Sequence, residues 1–173
     1  MGTSSAWSRN PSGQSDDGRS SLGLTVKDCI FCRILAGELP ATFIFRDDEI
    51  AAFMDIQPVN PGHVLVIPVR HATYLADLDP PTAGRLMQEG QRIAAAIRGS
   101  GVRCEGVNLF LADGEAAMQE VFHVHLHVIP RFAGDGFGLR FGPHYKELSS
   151  RSALEGVGSQ IVRALTNVSA PGG

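Results

Sequence analysis

The nine residues Val121–Ile129, VFHVHLHVI, constrain this chain more than any other stretch. Apolar residues alternate with three histidines, which is the period of a β-strand whose successive side chains point to opposite faces. The pattern predicts a strand with Phe122, Val124, Leu126 and Val128 on the core face and His123, His125 and His127 on the other. At strand rise, successive histidines would stand ~6.6 Å apart. Three imidazoles on an exposed face gain nothing from burial, so the pattern points to chemistry: metal binding, nucleophilic attack or proton handling. A solvated polar face explains one histidine more readily than three in strict alternation. A pure metal site is the open rival, because His-x-His on a strand supplies two ligands.

The remaining pattern is that of an α+β domain. Cys29–Ala36 reads as a short helix stopped by Gly37. Thr42–Arg46 and Ile50–Asp55 read as strands around the turn Asp47-Asp48-Glu49, and His63–Ile67 as a buried strand. Asp79 is a candidate N-cap for a helix opened by Pro80 and Pro81. Ala83, Leu86, Met87, Ile93, Ala94 and Ile97 recur along it at helical spacing. Val107–Leu111 reads as a further strand, and residues 152–165 as a C-terminal helix through Leu154, Val157, Ile161 and Leu165. Five strands and two or three helices are expected.

Residues 1–25 are rich in Ser, Gly, Asp and Arg, a composition that cannot bury enough apolar surface to offset ordering entropy. They are expected to be disordered, with Trp7 alone among them, and Asn167–Gly173 to be a flexible tail. The expected folded domain is 26–166, a size one core can serve. Net charge is −3 and no Lys/Arg run stands out, which argues against nucleic acid as a partner. No apolar run approaches the roughly 18 residues a membrane span needs, so no membrane partner is expected either. Three cysteines, with no signal-peptide pattern at the start, argue against a disulfide framework and for a reducing, cytoplasmic setting.

Cys29-Ile30-Phe31-Cys32 has the C-x₂-C spacing of a metal half-site. Two thiolates need two further ligands for tetrahedral zinc, and His71 and one histidine of the triple are candidates. Two buried apolar thiols are the alternative. A redox pair would need a thioredoxin-like βαβ pattern, which does not surround it. Cys104 stands apart.

These blocks together resemble the histidine-triad superfamily. The resemblance rests on HVHLHVIPR, on CIFCRILAGELP, on DDEIAAFMDIQPVNPGHVLVIPVRH and on GEAAMQEVFHVHLHVIPR, in the family's order across Cys29–Gly142. It implies a five-stranded antiparallel sheet and a homodimer. It implies that His125 is the nucleophile taking a nucleotidyl group, that His127 contacts phosphate, and that His63 is a fourth active-site histidine. Asp55 corresponds to an acid that binds ribose hydroxyls. Ile30, Phe31, Ile34, Phe53 and Ile56 correspond to an apolar wall around a purine base, and Gln119 to a loop residue facing phosphate or leaving group. In the zinc-bearing branch, Cys29, Cys32, His71 and His123 correspond to four ligands of a structural zinc.

Two positions depart from the family pattern: Ala112 replaces an Asn, and Met118 replaces the Gly of the phosphate loop. Gly permits a close backbone approach to phosphate, and Met adds bulk there. The resemblance implies a hydrolase acting at the α-phosphate of nucleoside phosphoramidates, dinucleoside polyphosphates or related adenylates through a covalent histidine intermediate. A nucleotidyltransferase using the same intermediate and a non-catalytic nucleotide-binding or scaffold protein are the alternatives.

Overall fold

A computed structural model describes residues 28–166. The expected disordered segment 1–25, Trp7 and the tail 167–173 lie outside the described residues. The chain divides into two units, Met1–Pro40 and Ala41–Gly173. In the first, α1 spans Ile30–Leu35, with Cys29 at its N-cap and Phe31 and Ile34 buried. Gly37 follows at φ +77°, the left-handed conformation that lets the chain leave a helix end.

The second unit is built on a five-stranded antiparallel sheet in the order β1-β2-β3-β5-β4. The strands are β1 Phe43–Arg46, β2 Ile50–Met54, β3 Val64–Pro68, β4 Gly106–Leu111 and β5 Leu126–Arg131. Helix α2, Pro80–Gly99, covers one face. Asp79 caps it as expected, accepting from the Thr82 N–H at 2.8 Å, with prolines in the first turn where a missing N–H costs little. Leu86, Ile93, Ala94 and Ile97 join Ile50, Ala52, Val64, Val66, Val124, Leu126 and Val128 in the core. Gly90 permits the contact, since a Cβ there would meet Leu126 Cδ2 at 2.6 Å. The apolar stripe of α2 is therefore used by its own sheet, and Met87 is left exposed.

Alternation places Phe53, Leu65, His127 and Phe110 in register across the opposite face of the sheet. His127 lies in this row, away from α2.

The histidine strand is shorter and later than its pattern suggests. β5 begins at Leu126, so His123 and His125 precede it. The backbone there is bonded otherwise: His123 N–H donates to Val121 O at 2.8 Å, and Val124 N–H to Ala72 O at 2.7 Å. Pro130 nevertheless continues the strand, opposite Val107. Nor is the histidine face exposed. His123 and His125 are buried and His127 is half-buried. Helix α3 spans Arg151–Leu165, capped by Ser150 accepting from the Ala153 N–H. Its stripe of Leu154, Val157, Ile161 and Leu165 is more than half exposed. Among the described residues, no helix is long and apolar enough to cross a membrane.

Candidate active site

His127 reaches the site from β5 and His63 from the turn entering β3, and strand pairing sets Leu65 opposite His127. His63 Nε2 and His127 Nδ1 share a hydrogen bond of 2.9 Å. The Val59 N–H donates to His63 Nδ1 at 3.2 Å, and Asp55 Oδ2 lies 3.4 Å from the same nitrogen. His125 packs against His127, ring centroids 4.8 Å apart. Phe110 closes the other flank of His127, with centroids 5.9 Å apart.

A carbonyl oxygen cannot donate, so the backbone decides which nitrogen of His125 carries a proton. Its Nδ1–H donates to His123 O at 2.7 Å. In the neutral form of the ring, Nε2 is then the lone-pair nitrogen. Burial pushes His127 down to about 4, aided by the neighbouring His125 and His63. Burial also lowers His63, against the opposing pull of Asp55. Near pH 7 both rings are therefore neutral.

The structure thus brings His63, His125, His127 and Asp55 together. Asp55 is also tied into its turn, with Oδ1 accepting from the Gln57 N–H at 2.8 Å. Gln119 is placed differently from the expectation. It is buried, and its side-chain amide is committed to backbone: Oε1 accepts from Gly114 N–H at 2.7 Å, and Nε2 donates to Thr73 O at 2.8 Å and Val121 O at 3.3 Å. Its visible work is to hold the 114–121 loop. Within that loop, Met118 sits at φ +71°, a left-handed conformation natural to glycine, with its side chain 67% exposed.

The expected base wall is uneven. Phe53 is buried and meets Phe43 edge to face, centroids 5.8 Å apart. Phe31 and Ile34 are buried, Ile30 is 47% exposed, and Ile56 is 95% exposed. Ala112, at the family's Asn position, is buried.

The sequence reading missed Asn60 and Asp135. Asn60 is buried and bonds Pro130 O and Asp135, which pairs with Arg131. An Asn beside Pro-Gly and an Asp beside Gly read locally as turn residues, and only their distant partner marks them out.

The cysteine pair and two histidines carry the expected metal donors. The sulfurs of Cys29 and Cys32 lie within 4.8 Å of each other, and so do ring nitrogens of His71 and His123. Burial pushes the Cys32 thiol up to about 12, and the adjacent Cys29 adds to the rise. His123 donates Nε2–H to Pro68 O at 2.9 Å, which fixes Nδ1 as its lone-pair nitrogen. This backbone bond to the non-ligating nitrogen is the usual support of a metal-bound imidazole. Two thiols with two imidazoles are a donor set that suits tetrahedral zinc. Among the described residues, Asp55, His63 and His127 form a second set of close donors, and His125 belongs to neither.

The HIT domain family model matches residues 36–134, more than half of the chain. The chain belongs to the HIT family. The fold agrees with that of solved HIT proteins. A member of the family from Bacillus subtilis is 36% identical, with a TM-score of 0.72 over 79% of this chain and 96% of that one. A zinc-bound histidine triad family protein from Mycobacterium smegmatis is 41% identical, with a TM-score of 0.62 over 80% of this chain and 98% of that one. Among curated relatives, the Arabidopsis thaliana protein named Adenylylsulfatase HINT3 is 35% identical over 121 residues, 69% of this chain and 60% of that protein. The HIT family thus includes hydrolases and at least one zinc-bound structure.

Proposed function

We propose that this HIT protein is a nucleotide hydrolase. It cleaves at the α-phosphate of nucleoside phosphoramidates, dinucleoside polyphosphates or related adenylates, through a nucleotidyl group carried on His125. One observation carries the reading: the Nδ1–H of His125 is held by His123 O at 2.7 Å, which assigns Nε2 as the nitrogen whose lone pair would attack phosphorus. That the relative from Arabidopsis thaliana is named an adenylylsulfatase supports an adenylate substrate.

In the first step, the His125 Nε2 lone pair forms a bond to the α-phosphorus, and the bond from phosphorus to the leaving group breaks with its electron pair. The leaving group takes a proton from solvent, and His125 keeps its Nδ1–H. In the second step, water attacks phosphorus, the P–N bond returns its pair to Nε2, and a proton is released to solvent. His127 faces the phosphate oxygens, and His63 supports it through their shared hydrogen bond. Gln119 positions the loop whose amides complete the oxyanion site. Asp55 receives the ribose hydroxyls, and Ile30, Phe31, Ile34, Phe53 and Ile56 serve a purine base.

Zinc on Cys29, Cys32, His71 and His123 would be structural, because four protein ligands leave no open position for substrate water. The same reading makes the protein cytoplasmic and a homodimer. With the α2 stripe turned onto its own sheet, the open edge of β4, where Leu109 is 40% exposed, and the exposed stripe of α3 are the surfaces left to share.

The test is a panel of adenosine phosphoramidate, adenosine phosphosulfate and diadenosine polyphosphates, assayed by release of AMP. A brief quench with labelled substrate should leave one nucleotidyl group on His125. His125→Ala should bind nucleotide without releasing AMP. Wild-type turnover in that variant would end the covalent reading.

A further inference from the structure

Two groups compete for one nitrogen of His63. The Val59 N–H donates to Nδ1 at 3.2 Å, and Asp55 Oδ2 lies 3.4 Å from it. A neutral imidazole nitrogen cannot serve both. To accept from Val59 it must carry the lone pair, and to donate to Asp55 it must carry the proton. The Val59 amide makes a well-formed bond in a part-buried loop, where an unmet N–H is costly. With Nδ1 as acceptor, the proton of His63 sits on Nε2 and is donated to His127 Nδ1 at 2.9 Å. The proton of His127 must then sit on its Nε2, on the ring edge away from His63. Since burial keeps both rings neutral near pH 7, His127 offers there either an N–H or a lone pair, and the tautomer alone decides. An N–H stabilises a phosphate oxygen, whereas a lone pair repels it.

The Val59 amide is held in place from a distance. The adjacent Asn60 is buried, and its Nδ2 donates to Pro130 O at 2.8 Å and to Asp135 Oδ2 at 2.9 Å. Arg131 grips Asp135 with both carboxylate oxygens engaged, Nε to Oδ2 at 2.6 Å and Nη2 to Oδ1 at 2.8 Å. That ion pair holds the Asp135 carboxyl well below the usual carboxylate range, so it stays an acceptor for Asn60 at neutral pH. Asn60 O in turn accepts from the His63 N–H at 3.1 Å. The loop carrying Val59 is thereby pinned to the far end of β5, the strand that carries His127.

We propose that Asn60, locked by Asp135 and Arg131, is a positioning residue that keeps the Val59 N–H on His63 and so sets the His63–His127 tautomer, presenting an N–H to substrate phosphate. Its effect on turnover rests on the nucleotide-hydrolase reading, while the tautomer itself does not.

Two-bond ¹H–¹⁵N spectra of the ¹⁵N-labelled full chain at neutral pH report which nitrogen of each histidine is protonated. His63 and His127 should both be protonated on Nε2. Val59→Pro deletes the donor, and Asn60→Ala loosens it. Each should move His63 toward the Nδ1–H form and lower kcat on adenosine phosphoramidate ~10-fold, as loss of an oxyanion donor does in part, with KM within about 3-fold of wild type. Adding Asp55→Ala to Asn60→Ala removes the competing acceptor and should return His63 to Nε2–H, a reversal that lost packing would not produce. Wild-type His63 protonated on Nδ1 overturns the proposal, and so does a folded Asn60→Ala variant with the wild-type tautomer. If Val59→Pro does not fold, the wild-type and Asn60→Ala spectra still decide. Absence of activity on every nucleotide would sink the hydrolase reading and leave the spectra to judge the tautomer.

Discussion

His123 and His125 stand two residues apart and use opposite nitrogens. His123 gives its Nε2–H to Pro68 O and keeps the Nδ1 lone pair, beside His71. His125 gives its Nδ1–H to His123 O and keeps the Nε2 lone pair, beside His127. The residue type is the same and the chain is continuous. What differs is the backbone carbonyl each ring meets, and that carbonyl leaves Nδ1 as the lone-pair nitrogen in one ring and Nε2 in the other, the nitrogens that the proposed metal site and the proposed nucleophile would use. The two rings are linked, since the carbonyl that orients His125 belongs to His123.

The sharpest way to break this comparison is to remove each ring in turn. His125→Ala should lower turnover by at least ~1000-fold, as loss of a covalent nucleophile does, and should leave metal content unchanged. His71→Ala should do the reverse: metal content drops, and the melting temperature falls by ~10 °C as the cross-link between distant segments is lost. Any folded fraction should keep most of its turnover. Metal analysis and melting of the two variants side by side decide the matter. Metal lost from the His125 variant but retained by the His71 variant would make the metal catalytic.

Acid should act on the nucleophile's side of the comparison more gently. His127 titrates at about 4 in the fold, below its ordinary range near 6.5. Between those values the unfolded chain binds the proton that the fold refuses, so unfolding gains from acid. The contribution of the neutral ring is complete above about 6.5 and is lost as pH falls toward about 4. Melting curves of wild type and His127→Gln should therefore converge on acidification through that window. Parallel curves would show that His127 is not held neutral. The smallest effect belongs to the phosphate loop. Met118→Gly removes a left-handed strain of about 1 kcal/mol, partly offset by glycine's larger unfolded entropy. The expected change is a rise in melting temperature of about 2 °C, measured by thermal denaturation; a fall would mean that the Met118 side chain is anchored.

Much of the fold was legible because it is written in local periods. The α2 cap at Asp79, the buried β3 run and the alternation that sends His127 and Leu126 to opposite faces are properties of neighbouring residues. The histidine strand was misjudged for the same reason. Alternation over Val121–Leu126 satisfies a strand, yet Ala72 takes the bond that a sheet partner would have taken. The C-terminal stripe is equally legible as a helix, but a period says only that a face is apolar, and α3 leaves that face open.

The sequence by itself determined the residue types and their order: three alternating histidines, a Cys-x-x-Cys, and the blocks that mark the HIT family. Tertiary structure alone decided the protonation pattern. Which nitrogen of His123, His125 or His63 carries a proton depends on Pro68, His123 and Val59 backbone groups reaching it. The pin on Val59 depends on an Asn60–Pro130 contact spanning 70 residues. A side chain's chemistry is intrinsic, but a tautomer is set by whichever donor or acceptor the fold brings within about 3 Å.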